Sequence, residues 1–280
     1  MKKYRLLKND AIKIGTHTLY RIKALRDFGP VKKGDIGGYI EEESNLSHER
    51  DCWIHDDAKA YDKAKVFDNA NIRNNAKVFD GARVFNNARV TGNAKVHGTV
   101  RVYNDAYVGR DSEVYGHADV YGSAYVSDNA KVFEDASVFG HAVLRQNAKV
   151  HGFTYVYDNA VILDNSEVYG NAFVYDYAIV SDNAKILGNA ILRSDTKIFS
   201  NAYIESKFDY LVVTGLGSVA RTTTFFKCKD KSIIVNCGCF CGTLNEFRDK
   251  VKETYGDTIY AEEYLMAADL AELRLTSNHN

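Results

Sequence analysis

The stretch Ala76-Lys77-Val78-Phe79-Asp80-Gly81-Ala82-Arg83-Val84-Phe85-Asn86-Asn87-Ala88-Arg89-Val90 decides the fold. Val78, Val84 and Val90 stand six residues apart, each with an alanine two residues before it. The same step runs unbroken from Ile54 to Ile204, and all 26 of its positions are apolar. The companion register, Ala58 to Ala202, has 25 members, of which 20 are alanine. The other five, Val100, Ser112, Thr154, Ser166 and Thr196, are also small. Pairs such as Asp68-Asn69, Gly92-Asn93 and Asp182-Asn183 separate the units. A helix places apolar residues near every 3.6 and a coiled coil every 3.5, so a strict six fits neither. Four residues reading in-out-in-out make a short strand. Asn, Asp and Gly then supply a tight corner, since they tolerate positive φ best. Strand plus corner, repeated every six residues, predicts a three-sided solenoid with 18 residues per coil. Twenty-six units give eight to nine coils, and at about 4.8 Å per coil a rod about 40 Å long. The fold class is therefore mainly β, a triangular, single-stranded parallel β-helix whose narrow core pairs one large with one small side chain.

The composition agrees with such a rod. Of 280 residues, 45% are apolar and 26% charged, too apolar for a disordered chain. A net charge of −1 gives no bulk attraction to nucleic acid or to an anionic membrane. No apolar run approaches the roughly 20 residues of a membrane helix. The start Met1-Lys2-Lys3-Tyr4-Arg5 lacks the apolar stretch of a secretory signal. Five cysteines, an odd number, fit a reducing cytoplasm better than a disulfide framework. The expected location is thus cytoplasmic. Pro30 is the single proline, so the many turns depend on Asn, Asp and Gly.

The hexads resemble the hexapeptide repeat of left-handed parallel β-helices, a group that includes many acyltransferases. The segment Lys33-Gly34-Asp35-Ile36-Gly37-Gly38-Tyr39-Ile40, with Cys52-Trp53-Ile54, resembles the N-terminal region of YdcK-like hexapeptide-repeat proteins of bacteria. The stretch Gly238-Cys239-Phe240-Cys241-Gly242-Thr243-Leu244-Asn245-Glu246-Phe247 is similar to the tails of related phage proteins. The resemblance spans essentially the whole chain. It implies a left-handed coil, a homotrimer and, under an acyltransferase reading, acetyl-CoA in a cleft between subunits with a histidine as general base. A phage setting implies action in the host cytoplasm on a host factor or signal molecule. One departure stands out: the second hexad position, ordinarily small or acidic in that family, is often aromatic here, as at Tyr61, Phe67, Phe79, Phe85, Tyr103, Tyr115 and Tyr121.

Residues 18 apart stack, so each face can be written as columns. On the first face Asn71 and Arg89 give way to Tyr107, Tyr125, Val143, Val161 and Ile179. On the third, Lys65, Arg83, Arg101, Asp119 and Ser137 give way to Tyr155, Phe173 and Ile191. The second keeps lysines and glutamates beside Tyr61, Phe79, His97, Tyr115, Phe133, His151 and Tyr169. A bare apolar strip of this size marks an interface, with an unidentified protein, a small-molecule ligand or further copies of the chain as occupant. The alternative is packing by the chain's own C-terminal part.

The ends need caps, because a solenoid otherwise exposes open strand edges. Residues 1–50 read as an N-terminal β cap with strands at Tyr4–Ile14 and 18–25, and 51–205 as the β-helix. Residues 206–280 read as an α+β domain: a meander of strands at 210–213, 222–227 and 232–237, then two helices. Thr243-Leu244-Asn245-Glu246 is a capping box opening the first helix, which Gly256 stops. The second helix spans about 258–273 and buries Ala261, Leu265 and Ala268.

Candidate chemistry is sparse. The histidines His97, His117, His141 and His151 sit within the repeat, and no loop excursion offers them a pocket, which argues against an enzyme. His97 and His151 lie three coils apart, about 14 Å, too far to share a ligand. Cys228, Cys237, Cys239 and Cys241 could form a four-thiolate metal site, but they lack the C-x(2–4)-C spacing, and reduced cysteines beside a turn fit equally. No nucleotide-hydrolase or zincin motif is present. Lys59, Lys77 and Lys95 lie close to aromatics, as nucleic-acid surfaces do, yet Asp56, Asp57, Asp62, Asp68 and Asp80 line the neighbouring corners and argue against nucleic acid. The expected function is a non-catalytic, oligomeric binding protein with no cofactor.

Overall fold

In the computed structural model, residues 2–277 are described. The hexads form two-residue strands from Trp53–Ile54 to Tyr203–Ile204, stacked as three parallel sheets. Every rung pairs with the residue 18 further on, as in Arg89 with Tyr107 and Arg101 with Asp119. The large register is buried throughout, from Ile54 to Ile204, and so is the alanine register. Each valine removed from water contributes about 1.5–3 kcal/mol. The polar exceptions in the small register are satisfied locally. Ser112 donates to the Gly109 carbonyl at 2.7 Å and Thr154 to that of His151 at 2.6 Å, one corner back.

Corner chemistry explains the Asp/Asn preference beyond backbone tolerance. The first corner residue takes a left-handed conformation, with φ of 56° at Asp68 and 59° at Asn74. Its side chain then accepts the backbone N–H of the same corner on the next coil. Asn74 donates so to Asp56 at 2.9 Å, Gly98 to Asp80 at 3.1 Å and Ser200 to Asp182 at 2.8 Å. The next corner residue builds amide ladders, Asn69 to Asn87 to Asp105 and Asn129 to Asn147 to Asn165. Side chains thus tie together the coils that backbone bonds already pair.

Strands β1 (Tyr4–Ile14) and β2 (His17–Ala24) form an antiparallel hairpin, and β3 (Ile36–Ile40) joins it antiparallel to β2. β3 also pairs in parallel with Lys59–Ala60, so the cap continues the second face. Leu46 bridges Val66 on the third face. Ile40 and Leu46 are six residues apart, and eight separate Leu46 from Ile54. The coil therefore starts at Ile40, ahead of the expected residue 51, with two residues inserted before Trp53. Phe28, 5.3 Å from Trp53, and Tyr4, 6.1 Å from it, close this end of the core.

At the other end β4 (Tyr210–Leu216), β5 (Arg221–Lys227), β6 (Ile233–Cys237) and β7 (Phe240–Thr243) form an antiparallel meander. The fourth strand was absent from the expectation: Gly238 and Cys239 make a two-residue turn that pairs Cys237 with Phe240. Adjacent Phe225 and Phe226 point to opposite sides of β5, as a strand requires. Phe226 joins the rod core beside Phe199, whereas Phe225 packs on Phe247. Helix α1 (Leu244–Tyr255) opens on the capping box, with Thr243 N–H donating to Glu246 at 2.7 Å. Helix α2 (Ile259–Thr276) runs three residues beyond the expected end and buries Tyr264, Ala271 and Leu275 as well as Ala261 and Ala268; Leu265 is half-buried. Among the described residues no helix is long and apolar enough to cross a membrane.

Candidate functional site

The outward columns differ from face to face. On the second, the rings Tyr61, Phe79, His97, Tyr115, Phe133, His151 and Tyr169 stack with centroids 4.4–5.4 Å apart and planes within 7° of parallel. The third-face ladder, Phe67 to Tyr175, is built the same way. Ring faces in both ladders are taken up by one another, and the edges face outward. Such a ladder stabilises neighbouring rungs. It offers a base or sugar no free face along its length.

His97 and His151 belong to this ladder. His97 Nε2 is 3.3 Å from Glu113 and its Nδ1 3.6 Å from Asp80. His151 repeats the pattern with Glu167 at 3.3 Å and Glu134 at 3.5 Å. Burial pushes the Glu113 carboxyl up, but hydrogen bonds from Lys131 and His97 prevail and leave it below the ordinary value. Glu167 is held down likewise, against burial, by Lys185 and His151. The correspondence extends further. Residues 77–130 align with 131–184 without a gap, and 30 of 54 positions are identical. On the second face Lys77, Phe79, Lys95, His97, Glu113 and Tyr115 recur unchanged as Lys131, Phe133, Lys149, His151, Glu167 and Tyr169. On the other faces charged or polar positions changed: Arg89 to Val143, Arg101 to Tyr155, Asp119 to Phe173.

Those changed positions make the apolar surface. Tyr107 and Tyr125 stack at 4.7 Å, and the Thr91 hydroxyl donates to the Tyr107 oxygen at 2.8 Å. Arg145 lies over Tyr125 at 5.6 Å. Val143, Val161 and Ile179 follow, half-buried against one another. The third face is barer. After the ion pair between Arg101 and Asp119 come Tyr155, 40% exposed, Phe173, 37%, and Ile191, 38%. Two corner residues that the column reading did not include widen this patch: Phe153 at 64% exposed and Tyr177 at 62%. Both stand at the second corner position of their hexad, which at every other step of six from Asp57 to Asn201 is polar or glycine. That exception is the sequence signal that marks them.

The C-terminal part sits over the end of the rod and leaves most of this surface bare. It touches the last coils: the Tyr210 hydroxyl donates to the Ile191 carbonyl at 2.6 Å, and Ile179 lines a cleft with Arg221 and Thr222. Tyr107, Tyr125, Val143, Val161, Tyr155 and Phe173 lie on earlier coils.

The remaining candidates do not converge on a site. His117 and His141 are exposed at corners, where the Thr99 hydroxyl meets His117 Nδ1 at 2.5 Å. Among the described residues, no histidine lines the clefts that Tyr175 and Tyr177 share with the C-terminal part. Cys228 is buried with the rod core and Cys237 with the C-terminal core, while Cys239 and Cys241 are exposed. Among the described residues no three His, Cys, Asp or Glu side chains are grouped to hold a metal. No protein-family model matches the chain, and no curated protein matches it significantly.

Proposed function

We propose that this chain is a non-catalytic β-solenoid binding protein that assembles with copies of itself through its first and third faces. The observation that carries the reading is the contiguous exposed patch Phe153, Tyr155, Phe173, Tyr177 and Ile191, beside the strip Val143, Val161 and Ile179. Together these side chains present roughly several hundred Å² of apolar surface, a size that marks an interaction site. Two different faces of each rod become apolar over the same coils, which suits a closed three-fold contact in which one face of each copy meets the other face of its neighbour. The hexapeptide resemblance supports a trimer. A rod of this kind in a phage would act in the host cytoplasm on a host factor or signal molecule. Acyl transfer with acetyl-CoA finds less support, since the four histidines are stacked in a ladder or stand on open corners. The test is the molar mass in solution of the whole chain and of the variant Tyr155→Lys, Phe173→Lys.

A further inference from the structure

The stretch Gly238-Cys239-Phe240-Cys241-Gly242 takes no part in the assembly surface, and each of its glycines has a specific task. Gly238 turns the chain between β6 and β7 with a φ of 61°, and a β-carbon there would collide with the Arg221 guanidinium. A β-carbon at residue 242 would fall 2.9 Å from the Phe240 ring. Each missing side chain thus seats a neighbour, Arg221 at one glycine and Phe240 at the other. Both seated side chains line the same cavity.

That cavity holds about 190 Å³ and is lined only by residues of the C-terminal part, from β5, the turn, α1 and Tyr264 of α2. Its walls are mostly apolar. Cys237, Phe247, Val251 and Tyr264 are buried, and Phe240 and Tyr255 are half-buried. Phe247 meets Phe240 at 5.5 Å and Tyr264 at 5.9 Å, and Tyr255 lies 5.6 Å from Tyr264. An apolar cavity of about 150 Å³ is large enough to take up benzene. The space here suits one aromatic ring, which joins a cluster of rings already in contact. Arg221 decides the other end of such a ligand, because a guanidinium only donates hydrogen bonds, in a planar fork that matches a carboxylate. Lys250 also lines the cavity but is engaged by Glu253 at 2.8 Å. Of the two exposed cysteines, Cys239 lines the cavity and Cys241 does not.

We propose that this cavity binds a small aromatic carboxylate, with the ring among Phe240, Phe247 and Tyr255 and the carboxylate on Arg221. A free acid and the C-terminal residue of a peptide present the same two groups. The site is independent of the assembly surface proposed above, since that surface lies on the rod.

Isothermal titration of the whole chain with 3-phenylpropionate, N-acetylphenylalanine, N-acetylphenylalanine amide and acetate tests it. At least one of the two aromatic acids binds saturably at one per chain, and the amide and acetate bind at least tenfold more weakly. N-acetylphenylalanine as the tighter ligand identifies a peptide C-terminus, and 3-phenylpropionate a free acid. The bound acid slows alkylation of Cys239 by iodoacetamide and leaves that of Cys241 unchanged, as read from peptide fragment ions. Arg221→Ala weakens the acid at least tenfold, and Thr254→Trp, which fills the cavity, abolishes binding. Arg221 and Thr254 are both exposed, so these variants keep the fold. The proposal is overturned if neither acid saturates the protein at concentrations up to about 5 mM. An amide that binds as tightly as its acid, variants that bind as the parent does, or equal slowing at Cys239 and Cys241 overturns it too.

Discussion

The ring of Tyr107 lies across Gly109, so closely that a β-carbon at residue 109 would fall 2.4 Å from the ring. Gly109 is buried although it faces outward, because the tyrosine covers it. The same pose delivers the Tyr107 oxygen to Thr91 and its ring face to Tyr125. Gly109→Ala displaces the ring and loses both contacts, at a cost of about 1–3 kcal/mol for a forced fit. A lowered melting midpoint checks this. A midpoint equal to the parent's means the ring was not held by the missing side chain.

The core tolerates no charge. Val120 is fully buried between the rungs at Val102 and Val138. Val120→Asp places a carboxylate in a core two side chains wide, with no partner and no water, and the rod unfolds or melts far lower. A cooperative transition within a degree or two of the parent would contradict the register.

Burial and the nearby Arg73 lower the pKa of His55 to about 4, from an ordinary value of 6.5. The folded state therefore takes up its proton later than the unfolded chain does. Stability from this group is complete above about pH 6.5 and falls towards pH 4, with a slope approaching about 1.4 kcal/mol per pH unit. Denaturant titrations across this window show that slope, and His55→Gln flattens it. A parent and variant with the same pH dependence would show that His55 does not titrate late.

Acetyl-CoA offered with a panel of amines and sugars gives no acyl transfer above the buffer rate. Turnover that disappears in His97→Ala, His117→Ala, His141→Ala or His151→Ala restores the enzyme reading.

The rod was legible because one small period governs packing, corner and stacking at once. From Ile54 to Ile204 every rung, sheet and column stands where a step of six puts it. What escaped the step has local causes. The two residues inserted between Leu46 and Trp53 hid the first coil, since Ile40 and Leu46 fall out of phase with Ile54. Strand β7 is four residues long with glycine at Gly242, too short and too poor in apolar residues to show an alternating pattern after the turn at Gly238-Cys239. The apolar columns on the first and third faces were readable, but Phe153 and Tyr177 stand at corners, outside the strand columns. The three-coil repetition was masked because alanine and valine recur in every hexad, so only outward residues such as His97 and His151 reveal it.

The assembly through these faces is tested most directly by static light scattering on the whole chain. The account predicts a molar mass three times that of one chain, and a single-chain mass for the folded variant Tyr155→Lys, Phe173→Lys, because two lysines at the centre of the patch place unpaired charge in the contact. The single-chain mass in the unsubstituted protein, at concentrations well above micromolar, would contradict it.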